Sequence, residues 1–347
     1  MTSILTSLLT RSATRRRNAR RLAEQSPDGI YEGRFVTVGG IEQWLTIRGE
    51  DRRNPVLFFL HGGPGCGHTI FNALTVPWER HFTLVQWDQR GSGKTRDRSG
   101  PLSAGEWTLE QLESDAIEVA EFLRSHLGHD KVVLVASSVG SSFGLAMARH
   151  RPDLLHAYVG TDQNTGPAAT PLSYRLTLEK LRAAGNTKGV KALEAIGPER
   201  AHWTARQATT LDRWTVKADT AIPNMLSDVI LPAMIGSSEH TLRDLGNIMK
   251  GMDESGSQWR EAFAQYDASA VGTDFAVPFF ILQGDSDAVT PTSAAKDYFD
   301  AVTAPHKEFA LIKHSGHLAM FTRPEQFLDE LIRRVRPVAM TEASEMP

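Results

Sequence analysis

Ser138 closes an apolar run, 132–136, and has Ala136 two residues before it and Gly140 two residues after it. A serine hydroxyl is a weak nucleophile. It must be held rigid at a strand's exit, facing a base and backbone N–H groups that meet the charge developing on the substrate. The strand-to-helix turn that does this is tight and strained, and it leaves room only for small residues two before and two after the serine. Ser137 fails this test, with Val135 and Val139 in those places, while Ser141 and Ser142 would already lie on the following helix, which runs on to His150. Ala136 stands where the usual pattern has glycine, a departure that makes the run alone a weak signal.

A serine of this kind is followed in the chain by its acid and then its histidine. Asp285 and Asp287 come after the apolar run 277–282, and His314 and His317 come after 309–312. Aspartate beside glycine and proline is also a common turn former, and serine after a strand is often a helix cap. His314 and His317 have the spacing of a metal pair, but no third ligand stands at useful spacing, so neither a metal nor another cofactor is expected. Upstream, 57–60 leads into His61, Gly62, Gly63, Pro64 and Gly65, whose glycines allow a backbone to approach a ligand closely. A histidine base must be neutral before attack, so the rate should rise with pH around an apparent pKa of about 6–7.5.

These residues need a rigid frame, and the chain supplies strand-like runs at 34–38, 41–48, 55–60, 82–87, 132–136 and 155–160. The first two, joined at Gly39 and Gly40, read as an antiparallel hairpin. Helical stretches such as 109–127 interleave later, as a mostly parallel, doubly wound α/β sheet requires. The strand pattern stops between Asn164 and Asp274, an interval holding Trp203, Trp214, Trp259 and several methionines that reads as an inserted helical lid. Helices over 297–303 and 324–335 then close the core. The expected organisation is a basic arm at 1–33, core at 34–163, lid at 164–274, core again at 275–336, and a tail at 337–347.

Taken together, the 61–65 run, the segment 86–94 (QWDQRGSGK), the turn at 136–140, the GDSD run at 284–287 and Ser315-Gly316-His317 resemble the α/β-hydrolase superfamily, and within it the proline iminopeptidase-like group. The similarity runs from roughly Phe35 to Arg334. It implies the α/β-hydrolase fold, Ser138 as nucleophile, Asp287 as acid and His317 as general base. It also implies an oxyanion hole from the N–H of Val139 and one of Gly62 or Gly63. The family's spacing from Gly284 selects Asp287 over Asp285. Asp88, Arg90 and Lys94 read as a charged loop packed beneath the oxyanion loop.

Aminopeptidases of that group hold the substrate's amine with lid glutamates, one of them beside a tryptophan. Trp203 and Trp214 are each followed by threonine. Glu194, Glu199, Asp212, Glu239, Asp253 and Glu254 remain as substitutes. The expected substrate is therefore a small ester, lactone or amide rather than an N-terminal proline, and Gln163, Trp203 and Trp214 are candidate substrate contacts. A non-hydrolytic ligand-binding protein on the same fold is the alternative of a different class.

The 347 residues, 41% hydrophobic and 23% charged, suit a globular core with an insertion. A net charge of −3 gives no reason to expect nucleic acid as a partner. Cys66 is the only cysteine and reads as a buried, inert thiol. The arm carries Arg11, Arg15, Arg16, Arg17, Arg20 and Arg21 after Ile4, Leu5, Leu8 and Leu9, the reverse of a secretory signal. It reads as a basic amphipathic segment packed on the domain or a partner, with contact to an anionic membrane surface as the minority reading. No apolar run is long enough to span a bilayer, and a cytoplasmic location is expected.

Overall fold

The computed structural model describes residues 9–341 apart from 64, 103–106 and 201–202. Ile4, Leu5 and Leu8 of the arm, Pro64 of the glycine run, the side chain of Trp259 and the tail from 342 onward lie outside the described residues.

Eight strands form one sheet: β1 (Ile30–Val38), β2 (Ile41–Gly49), β3 (Val56–Leu60), β4 (Thr83–Asp88), β5 (Val132–Ser137), β6 (Leu155–Thr161), β7 (Phe279–Gly284) and β8 (Lys307–Ile312). Their spatial order is β1-β2-β4-β3-β5-β6-β7-β8. β1 pairs antiparallel with β2 through a turn at Gly39 and Gly40, both in the left-handed region, and β2 pairs antiparallel with β4. All later pairings are parallel.

The uninterrupted apolar runs of β3 and β5 follow from burial on both faces, which parallel strands require. Phe58 and Leu60 face one core cluster, while Leu57 and Phe59 face the other, the period of two that a pleated strand imposes. The amino-terminal segment forms α1 (Arg11–Ala23), and two helices then flank the first cluster, α2 (Leu109–Leu127) and α3 (Val139–His150). Thr108 caps α2 by accepting the Gln111 N–H, and Gly128 ends it in the left-handed conformation. Phe327 and Leu331 from the carboxyl-terminal helices belong to the second cluster.

Between β6 and β7 the chain is helical. It contains α4 (Thr170–Ala183), α5 (Thr187–Ile196), α6 (Ala205–Ala218), α7 (Leu231–Gly236) and α8 (Leu242–Ala264). The first three enclose a small core of their own around Tyr174, Leu181, Leu193, Leu211 and Trp214. After β7, α9 (Thr292–Ala301) begins five residues before the sequence-predicted start, directly after Pro291.

α1 buries no residue, and Leu9 is exposed. It docks instead through polar side chains. Arg15 donates to the carbonyls of Ser237, Ser238 and His240, Asn18 to that of Gly236, and Arg48 reaches back to the Leu22 carbonyl. Among the described residues, no helix is long and apolar enough to cross a membrane.

Candidate active site

Ser138 sits between β5 and α3 with φ 54° and ψ −120°. Holding a non-glycine residue there costs on the order of 1–3 kcal/mol, so its surroundings must over-determine it. The Ser138 N–H donates to the Thr161 carbonyl at 3.2 Å, and the Ser141 hydroxyl and N–H both donate to the Ser138 carbonyl. Close approach explains the small neighbours. A Cβ on Gly140 would lie 2.2 Å from the Leu60 carbonyl oxygen, and one on Gly62 would lie 2.7 Å from Ser138 Cβ. Ala136 is accommodated by Gly144, one turn into the helix, where an added Cβ would come within 2.8 Å of the alanine methyl. The missing glycine of the turn is thus displaced onto the facing helix.

Ser138 Oγ is 3.0 Å from His317 Nε2, and His317 Nδ1 is 2.9 Å from Asp287 Oδ2. Asp287 is buried and richly solvated by protein donors: the N–H groups of Val289 and Thr290, the Thr290 hydroxyl and the Gln283 amide. These bonds leave the carboxylate to accept the Nδ1 proton, so that Nε2 is free to accept one from the serine. Burial alone would push the His317 imidazolium down, but the charges of Asp287 and Asp162 and the Asp287 hydrogen bond outweigh it and raise the group to about 9. That direction lies above the value expected from an isolated histidine.

Asp285 does not join this chain. Its Oδ1 accepts the Ser315 N–H and fixes the turn before His317. His314 is exposed, and among the described residues it joins no group of three or more metal-ligating side chains.

Gly62, Gly63, Val139, Ser138 and His317 line one cavity of about 380 Å³. Val139 is the first residue of α3, where an N–H has no acceptor within the helix. His61 is fully buried and held neutral by desolvation, at about 4; its Nδ1 donates to the Gly62 carbonyl, and its Nε2 accepts the Gln89 N–H. The loop beneath is tied by Asp88, which accepts from Thr69 and the Lys94 N–H, and by a buried Arg90–Asp115 pair. Cys66 lines the same cavity, with burial pushing its thiol up to about 12, so the thiolate is scarce at neutral pH.

A family model described as alpha/beta hydrolase fold matches residues 55–324. The chain belongs to the alpha/beta hydrolase family. It is 26% identical over 308 residues to the "Probable aminopeptidase YbaC" of Bacillus subtilis, covering 87% of this chain and 95% of that relative. A shorter match, 31% identical over 118 residues, reaches the proline iminopeptidase of Thermoplasma volcanium and spans 34% of this chain and 37% of that one. Among solved structures, the proline iminopeptidase-related protein of Thermus thermophilus aligns with a TM-score of 0.57 at 20% identity, over 90% of this chain and 99% of that one. The chain is therefore an α/β-hydrolase-fold enzyme, similar to proteins named aminopeptidase and proline iminopeptidase.

The helices of this hydrolase form the cavity's far wall. Trp203 lines it, whereas Trp214 does not: its ring is buried in the core of α4, α5 and α6. Gln163 is also off the wall, spent on Tyr158, Gln283 and the Asn164 carbonyl. Of the acids considered for an amine, Asp212 alone lines the cavity among the described residues. Glu194 pairs with Arg182, Glu239 accepts from Asn72, and Glu254 pairs with Arg96. Arg200 was not legible as a site residue, since an isolated arginine in a helical stretch carries no pattern. It lines the cavity with its guanidinium 5.0 Å from the Phe263 ring centroid.

Proposed function

We propose that the chain is a serine hydrolase that works through an acyl-enzyme. The observation that carries this is the unbroken hydrogen-bonded chain from Ser138 Oγ through His317 to Asp287, opening on a cavity of about 380 Å³. In this reading Ser138 Oγ attacks a carbonyl carbon while its proton passes to His317 Nε2. Asp287 keeps the imidazole in the productive tautomer and stabilises the imidazolium. The N–H of Val139 and one of Gly62 or Gly63 receive the oxyanion. The imidazolium then protonates the leaving group, and water, deprotonated by the same histidine, releases the acid.

The substrate class we infer is a small ester, lactone or amide without a free amine. The wall is largely apolar, with Phe71, Leu211, Met225, Ile230 and Phe263. Its one described carboxylate, Asp212, feels the positive charge of Arg200. A buried ammonium needs an uncompensated carboxylate partner, and this arrangement offers a poor one. The second reading is an aminopeptidase. It is favoured by the position of Asp212 and by the name of the Bacillus subtilis relative.

A fluorophosphonate probe should label Ser138 and leave a Ser138→Ala variant unlabelled. Label mapped to Ser137 or Ser141 would remove the assignment. A matched pair of substrates, one with a free amino terminus and the same one acylated, separates the two readings. Higher kcat/KM for the acylated member supports the first, and preference for the free amine returns the reading to aminopeptidase.

A further inference from the structure

The mechanism above makes no use of Asp162, which directly follows β6. It is completely buried and adopts φ 51°, a strained conformation for aspartate that the fold must enforce. Its Oδ2 accepts the Ser137 hydroxyl at 2.9 Å. Its Oδ1 accepts the N–H groups of Leu318 and Ala319 at 2.9 and 3.3 Å. Those amides are the two that follow His317, and Ser137 is the residue before Ser138. One carboxylate therefore grips both the nucleophile's strand and the histidine's loop.

Asp162 also faces the imidazole electrically. One ligating atom each from Asp162, Asp287 and His317 lie within 4.8 Å of one another. Burial raises the Asp162 pKa, and the His317 charge opposes that rise. Asp162 accepts all three of these hydrogen bonds, as a carboxylate with only acceptor atoms can. The groups whose charge bears most on the imidazole are Asp287, on the loop after β7, and Asp162, on the loop after β6.

We propose that Asp162 is a positioning residue for the reaction: it orients His317 through the two following amides and supplies a second negative charge that stabilises the imidazolium formed as Ser138 attacks. No proton moves to Asp162; the serine proton stops at Nε2. The inference rests on His317 acting as the base in the proposed reaction.

Asp162→Asn keeps the size and an acceptor oxygen but removes the charge. NMR titration of the His317 ring in the resting enzyme should show its pKa lower by about one unit, since an opposite charge this close shifts a titration by roughly 1–3 units. The acidic limb of kcat/KM should move the same way, with kcat reduced about tenfold and KM within about twofold of wild type. In an Asp287→Asn background the same change should cost a further factor of about ten. An unmoved His317 titration together with an unmoved acidic limb, in a variant with wild-type circular dichroism, overturns the proposal. Should Asp162→Asn not fold, Asp162→Ser serves, since it also removes the charge; the His317 pKa should fall by about one unit, and no fall overturns the proposal. The titration needs no substrate, so loss of fluorophosphonate labelling at Ser138 in the wild type would strike the hydrolase reading and leave this electrostatic claim standing.

Discussion

The loops at the carboxyl ends of β3 and of β5 to β8, and the helices between β6 and β7, face the same cavity but are built differently. The loops leave a sheet whose strands are buried on both sides, and the polar atoms of Asp287, Asp162 and His61 are each tied to named partners. Of the helices, Met234 of α7 and Ile248 of α8 pack into the second sheet cluster, while α4 to α6 rest on a small separate core around Leu181, Leu193 and Trp214. They reach the loops through a few polar ties, such as the Ser173 hydroxyl on the Ala288 carbonyl and Lys180 with Asp219 and Ser286. The sheet end can hold reacting atoms to the tolerance that chemistry demands. The part of the wall built by α4 to α6 rests on the smaller core, away from the reacting atoms.

If that division is right, losses at the sheet end should be catalytic and losses in the helices should fall on binding and local stability. The largest effect is expected at Asp287. Asp287→Asn removes the charge that stabilises the imidazolium and should lower kcat on the order of 10⁴-fold, whereas Asp285→Asn, which touches only the Ser315 amide, should cost less than about tenfold. Equal losses in the two variants, measured as kcat on one ester, would break the distinction.

Leu181→Ala tests the other side. Leu181 is fully buried in the small core, and truncating such a leucine costs about 2–5 kcal/mol. The expected result is a lower melting transition with raised KM, while fluorophosphonate still labels Ser138. A loss of labelling in protein that retains its sheet signal would mean that the helices also position the chemistry.

The smallest effect is in pH. With the His317 pKa raised towards about 9, kcat/KM should climb with pH to a midpoint above the ordinary histidine value of about 6.5. A folded-state pKa above the unfolded one means that the folded form binds the proton more tightly. That stabilisation is complete below about pH 6.5 and is lost as pH rises through about 9. Urea denaturation at pH 6 and pH 9.5 should therefore show a fall that His317→Gln abolishes. A midpoint at or below 6.5 would show that burial, rather than the two carboxylates, governs the imidazole.

Much of this was legible in the chain itself. The apolar runs at 55–60 and 132–136 read as buried strands, because they are short and no polar alternation interrupts them. The small residues around Ser138 pointed to its turn, since steric limits at a strained turn act locally. The order of serine, acid and histidine in the chain followed from motifs that each span a few residues. The choice of Asp287 over Asp285 came from the resemblance to the family, not from local physics. Asp285 and Asp287 differ in sequence by two positions, but only the packed loops aim one at His317 and the other at Ser315. The compensation of Ala136 by Gly144, the withdrawal of Trp214 into a separate core, and the arrival of Asp162 beside His317 each depend on pairs that tertiary packing brings together. Sequence periodicity reports which face of an element is apolar. It carries no record of which distant side chain fills the space opposite, and that is where this site's charge balance and substrate wall were decided.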